Sequence, residues 1–344
     1  LIADLAPNHL EGNFIGTDLT GTVAVGNTYG VMVDFVENGA FIGGTSPGAG
    51  NLISGNAASG LLLTESTLIQ IQGNWIGTDV TGAAPLGNGS HGVEMVDSAF
   101  DISIGGTAAG AGNTIAYNGG AGVFMDFVDG EANPVLSNAI FENAGLGIAL
   151  EDETVLANDP GDLDEGANLL QNFPVVMGAT SDGVSTSILG TLNSEADFSF
   201  LVQFFANAAT DPSGFGEGER FLGSTSVTTN GSGNVGFDVT FPIAVTPGEF
   251  ITATATMLDD FNNTSEFSQA VVVMPPDDGD GVAAGIEDGA PNGGDGNNDG
   301  TLDSVQDNVT SLPNVVDSRY VTLVAPAGMQ LVDVVSFPSP LPGN

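Results

Sequence analysis

Two ten-residue phrases each occur twice in the chain, at nearly the same offset, and this constrains the fold more than any other feature. GNFIGTDLTG at 12–21 returns as GNWIGTDVTG at 73–82, and IGGTSPGAGN at 42–51 returns as IGGTAAGAGN at 104–113. A finer marker, glycine followed by apolar residues, stands at Gly30, Gly60, Gly92, Gly122 and Gly147, so one structural turn takes about thirty residues. Within each turn the apolar residues come in short runs of period two, such as Val31-Met32-Val33, separated by Gly, Asn and Thr-Gly clusters. That is the pattern of short strands and not of helices. A four-stranded propeller blade needs ~40–45 residues, so a spacing near thirty predicts a solenoid of stacked parallel strands. Asparagines at the strand margins (Asn13, Asn51, Asn74, Asn113, Asn138) suit this, because Asn tolerates left-handed backbone and its amides can stack from coil to coil.

With these phrases the chain resembles the bacterial exported proteins that carry right-handed parallel β-helix repeats. The resemblance covers roughly residues 10–152 and implies a parallel β-helix over 1–152. It implies little about function, because such proteins include surface proteins of unknown role as well as polysaccharide-active enzymes.

The rest of the chain changes character three times. Residues 153–172 belong to an acidic stretch with seven acids between 151 and 172, predicted as a cap or hinge where the last coil's open edge must be protected. From 173 to 273, alternating strands such as Phe198–Val202 and Ile251–Ala255 predict a β-sandwich. The phrases DPSGFGEG, LGSTSVTT and NTSEFS resemble the immunoglobulin-like domain that follows such β-helices. Where relatives tend to carry cysteine, Ala208 and Ala209 stand here. Residues 274–306 are Asp, Asn and Gly with little apolar content, and 307–344 return to alternation at Tyr320–Val324 and Leu331–Val335. So few strands need another domain or subunit to complete them. This tail resembles the start of a surface-anchoring module.

Calcium is the cofactor the acidic connector predicts. Counting from Asp295, oxygen ligands fall at calcium-loop spacing: Asp295, Asn297, Asp299, the Thr301 carbonyl, Asp303 and Gln306, with Gly300 sixth. The loop resembles thrombospondin type 3 and dockerin-like repeats, with Gln306 in place of the bidentate glutamate. An upstream copy keeps Asp278, Asp280 and Glu287 but has Pro276 and Ala284 where two ligands belong.

Charge decides the partners. The chain of 344 residues carries 43 Asp and Glu against two cations, Arg220 and Arg319, for a net charge of −41. Nucleic acid and anionic membranes are repelled. Hydrophobic residues at 41 % still allow a core, and the absence of cysteine excludes disulfides and thiol chemistry. No apolar run approaches the ~18 residues of a transmembrane segment. The start at Leu1 reads as processed or truncated, and the resemblance implies an extracellular or cell-surface location.

A polysaccharide lyase needs a lysine or arginine base, and residues 1–172 contain neither. Hydrolysis needs two carboxylates, and Asp18 and Asp79 hold equivalent repeat positions two coils apart, ~9–10 Å at ~4.8 Å per coil, near the inverting separation. The competing role is an Asx turn duplicated with the repeat, which the duplication itself favours. His9 and His91 lack partners at metal or triad spacing, and Phe14 and Trp75 occupy equivalent positions as stacking residues. The reading favoured is a non-catalytic, calcium-stiffened structural or adhesive surface protein, able to self-associate head to tail into a filament or to engage a glycan. A polysaccharide-binding or polysaccharide-hydrolysing β-helix is the alternative, and adaptation to high salt is a third account of the charge.

Overall fold

The short apolar runs of each turn become three strands per coil. The computed structural model describes residues 8–126, 132–258, 262–275, 290–306, 308–313, 320–326 and 329–330. The first coil holds β1 (Asn8–Leu10), β2 (Phe14–Ile15) and β3 (Val31–Asp34), and the second β4 (Ala40–Gly43), β5 (Leu52–Ile53) and β6 (Leu61–Thr64). The third holds β7 (Thr67–Gln72), β8 (Trp75–Ile76) and β9 (Val93–Val96), and the fourth β10 (Phe100–Gly105), β11 (Thr114–Ala116) and β12 (Val123–Met125). The fifth holds β13 (Val135–Leu136), β14 (Ala139–Phe141) and β15 (Ile148–Leu150). Strand k pairs with strand k+3, giving three five-stranded sheets. Every pairing among them is parallel, the arrangement of a parallel β-helix.

The alternation seen in sequence sorts side chains to the two faces. In β3 and β9, Val31, Val33, Val93 and Met95 are buried while the residues between them are not. Ile42, Leu63, Ile71, Ile102 and Val123 join them in one core, each side chain contributing about 1.5–3 kcal/mol on burial. The marker glycines stack for a steric reason. A Cβ on Gly60 would lie 2.7 Å from the Gly92 carbonyl oxygen, and one on Gly92 would lie 2.6 Å from that of Gly122. Only glycine lets consecutive coils approach this closely at that corner.

The doubled period of the sequence has a structural cause. GTD-x-TG excursions leave the first and third coils between β2 and β3 and between β8 and β9, and IGGT excursions leave the second and fourth between β4 and β5 and between β10 and β11. Excursions of one kind therefore recur every second coil, and the two GTD turns touch through Val80 N donating to Gly21 O at 2.9 Å.

Beyond the coils lie β16 (Val175–Ser181), β17 (Thr186–Asn193), β18 (Ser199–Asn207), β19 (Arg220–Thr228), β20 (Asn234–Phe241), β21 (Phe250–Met257) and β22 (Val271–Met274). β18 pairs antiparallel with β19 and β21. The predicted strands at 198–202 and 251–255 thus fall in β18 and β21. By contacts, 1–178, 188–241 and 249–271 form one unit, and 179–187, 242–248 and 272–344 a second. In the second unit Ala179 and Thr180 of β16 pair parallel with Val273 and Met274 of β22. There too β23 (Val309–Pro313) and β24 (Tyr320–Val324) form an antiparallel hairpin, so the predicted strand at 320–324 is present. The predicted strand at 331–335 lies outside the described residues.

Within the first unit the fifth coil does not end on open strand edges. Phe205 of β18 and Phe267 belong to the same core as the coils, and from the acidic segment Ala167, Leu156 and Leu170 pack on it. Val135 N donates to Thr264 Oγ1, and Ser137 N to Gln203 Oε1. No helix among the described residues is long and apolar enough to cross a membrane.

Candidate functional site

Two asparagine columns run through the coils. In the first, each side-chain amide donates to the Oδ1 of the next: Asn13 to Asn51 at 3.0 Å, then Asn51 to Asn74, Asn74 to Asn113 and Asn113 to Asn138 at 2.9 Å each. These are the five asparagines expected at the strand margins. A second column, Asn27, Asn56, Asn88, Asn118 and Asn143, follows the same rule. Its signal was present in sequence as the asparagine three or four residues before each marker glycine, at Gly30, Gly60, Gly92, Gly122 and Gly147. Asn88 also lies in a glycosylation sequon, but it is 2 % exposed.

The second column ends on an acid. Glu217 Oε1 accepts from Asn143 N (2.9 Å) and Asn143 Nδ2 (3.2 Å), and Oε2 accepts from Glu142 N (2.6 Å). Glu266 does the same for the next stretch of chain, accepting from Leu150 N and Leu156 N. Burial pushes both carboxyls up to about 7. Sequence reasoning missed both residues, because their role depends on contacts 74 and 116 residues away.

Asp18 and Asp79 sit where the repeat places them, each committed to its own turn. Asp18 accepts from Thr20 Oγ1, Thr22 N and Val23 N, and Asp79 from Thr81 N, Thr81 Oγ1 and Ala84 N. The threonine hydroxyl is the main cause holding each carboxyl below its ordinary value. Neither is poised as a proton donor. His91 is buried, stacks on Phe124 at 4.5 Å and accepts from Ala121 N at 3.0 Å through Nδ1. Burial lowers its pKa, so it packs as a neutral ring. His9 stacks on Phe41 at 4.7 Å. Phe14 and Trp75 are both partly exposed, with Leu52 in register between them.

The first predicted calcium loop is described and the second is not: Asp278, Asp280 and Glu287 lie outside the described residues. In the first, Asp299 N and Gly300 N donate to the Asp295 carboxylate, Asp299 N and Thr301 N to Asn297 and Asp299, and Gln306 Nε2 to Asp299 Oδ1 and Thr301 O. Asp303 is fully buried; Oδ2 accepts from Gly296 N and Ser311 Oγ, while Oδ1 has no partner. A buried carboxylate oxygen without a partner is a group that a hard cation would satisfy, but Asp295, Asp299 and Asp303 are not brought together as a cluster of acids among the described residues.

Among the described residues, the three acids whose oxygens gather within 4.8 Å are instead Asp159, Asp162 and Asp164, in NDPGDLD of the acidic segment. Asp162 accepts from Asn172 N, Gln171 Nε2 and Ser194 Oγ, and burial pushes it up to about 7. No family model matches the chain, and no curated protein matches it.

Proposed function

We propose that the chain is a non-catalytic extracellular structural or adhesive surface protein, built from right-handed β-helix repeats, an immunoglobulin-like module and an acidic connector stiffened by Ca²⁺. The observation that carries this reading is the second asparagine column closing on Glu217. The amides of the two asparagine columns are spent on holding coil to coil and coil to module, not on a reactive centre. Calcium at Asp295, Asn297, Asp299, Thr301, Asp303 and Gln306 is supported by the orphan Asp303 oxygen and the ligand spacing; the ion would supply charge neutralisation there. The resemblance supports export from a bacterial-type cell, and head-to-tail self-association is part of the same proposal.

Hydrolysis by Asp18 and Asp79 has less support, because their own turns donate hydrogen bonds to both carboxylates. The test is limited proteolysis and calorimetry with 2-fold excess EGTA over protein-bound metal against added Ca²⁺. Cleavage of 290–306 that accelerates in chelator upholds the reading; identical digestion in both conditions overturns it.

A further inference from the structure

The acidic loop and the hairpin that follows it are joined through Asp303, whose side chain is fully buried. Oδ2 accepts from Gly296 N, within the loop, at 3.0 Å and from Ser311 Oγ on β23. The Ser311 hydroxyl lies 2.6 Å from that of Thr322, its register partner on β24. One carboxylate oxygen thus ties the loop to both strands of the hairpin, while Oδ1 has no partner.

The loop and the hairpin are built against each other. Glycine at 296 is required by space and not by backbone, since its φ lies outside the left-handed region. A Cβ there would come closer than 3.0 Å to the Thr322 hydroxyl, the Ser311 hydroxyl and Asp303 Oδ2. The second place of a calcium loop supplies no ligand, so the ligand pattern leaves this position open and the hairpin restricts it. The hairpin needs the contact in turn. β23 and β24 form a two-stranded sheet, which is marginal in water by itself. Val321, Leu323 and Val324 of β24 are exposed, so apolar burial of that strand does little to hold it.

A buried carboxylate is costly unless its charge is compensated and its oxygens have partners. The chain contains no lysine, Arg220 pairs with Glu249, and both histidines lie against other acids, so among the described residues no basic side chain compensates Asp303.

We infer that the hairpin completes the cation site of the 295–306 loop: Ser311 and Thr322 hold Asp303 through Oδ2, which leaves Oδ1 for the ion, and Ca²⁺ binding and β23–β24 pairing stabilise each other. The inference rests on the calcium reading above and adds Ser311, Thr322 and Gly296 as positioning residues that contribute no ligand. Linkage of this kind is reciprocal: whatever factor the paired hairpin adds to Ca²⁺ affinity, Ca²⁺ adds to pairing. A metal signal is thereby carried from the loop into a β segment outside the ligand set.

Hydrogen exchange of the full chain in millimolar CaCl₂, or in NaCl of equal ionic strength, tests this together with calorimetric titration of Ca²⁺. Amides of 309–313 and 320–324 should exchange about fivefold more slowly in Ca²⁺, with those of β18 unchanged as the measure that the rest of the chain stays folded. Ser311→Ala and Thr322→Val should each weaken Ca²⁺ binding by about fivefold, and Thr322→Ser, which keeps the hydroxyl, should bind as the native chain does. Ca²⁺ taken up elsewhere on so acidic a chain is common to every variant. Ca²⁺ binding with unchanged hairpin exchange overturns the inference and leaves the calcium reading standing. The inference also falls if NaCl protects the hairpin equally, or if Ser311→Ala and Thr322→Val bind Ca²⁺ as tightly as the native chain, whether or not their hairpins stay paired. Absence of Ca²⁺ binding at millimolar concentration overturns both.

Discussion

Asn143, the last residue of the second asparagine column, gives its backbone N–H and its side-chain amide to the same oxygen of Glu217, at 2.9 and 3.2 Å. In every earlier coil that oxygen belongs to the next asparagine. A carboxylate borrowed from the following module thus completes a pattern that the repeats cannot complete themselves, and it satisfies donors that would otherwise be buried without partners.

Removing that acceptor should be expensive. Glu217→Ala leaves the Glu142 and Asn143 donors unmet and should destabilise the chain by about 3 kcal/mol, read from urea unfolding at pH 7. Glu217→Gln keeps an acceptor and should lose much less. Equal losses in the two variants would show that the hydrogen bonds are not the source.

Stability should fall as pH rises from about 4 to about 7. Burial raises the folded-state pKa of Asp162, Glu217 and Glu266 to about 7, whereas unfolded carboxyls titrate near ~4. The folded chain therefore holds more protons in that window, and their contribution is complete below pH ~4 and lost as pH climbs through 7. His91, whose pKa is lowered by burial, works in the opposite direction. Comparing the native chain with Glu266→Gln isolates the acid: the difference in melting temperature should shift against the native chain between pH 4 and 7. A difference independent of pH would contradict the assignment.

The corner glycines admit no side chain. Gly60→Ala places a methyl 2.7 Å from the Gly92 oxygen and 2.9 Å from both the Ile76 and Asn88 side chains. The coils must part there, at a cost of about 1–3 kcal/mol. Gly183→Ala, at a turn where a Cβ meets nothing within 4 Å but φ is 81°, should cost less, about 1 kcal/mol. Circular-dichroism melts of the two variants should rank them in that order.

Calcium dependence should centre on Asp303. Its partnerless Oδ1 should gain a ligand when Ca²⁺ binds, so Asp303→Asn should reduce Ca²⁺ affinity at least tenfold by isothermal titration. Asn297→Ala, half-buried and bonded within the loop, should have a smaller effect. Unchanged affinity in Asp303→Asn would remove the loop from the candidate sites.

The coils were legible from sequence because their determinants are local and repeated. Val31, Leu61, Val93 and Val123 each follow a marker glycine, and those glycines, the alternation and the first asparagine column all survive into the structure. What the sequence did not disclose is the alternation of two loop types in successive coils, although the offset of 61 or 62 already contained it as twice the coil length. Glu217, Glu266 and the Asp159–Asp162–Asp164 group stayed hidden for a different reason. Each is an ordinary acid in an acidic chain until residues distant in sequence surround it, and burial by non-local contacts leaves no periodic trace.

The two columns also set how such a chain can change length. Each asparagine hands its amide to an identical neighbour, so a coil carrying both asparagines and its corner glycine meets the same surroundings wherever it is inserted. Growth or shrinkage therefore comes in whole coils, and because two kinds of loop alternate and touch their own kind across one intervening coil, pairs of coils preserve every contact where single ones do not. Glu217 fixes one end of this series. A splice that follows Asn143 would strand the terminal amide, whereas one placed between earlier coils would leave the junction with the next module untouched.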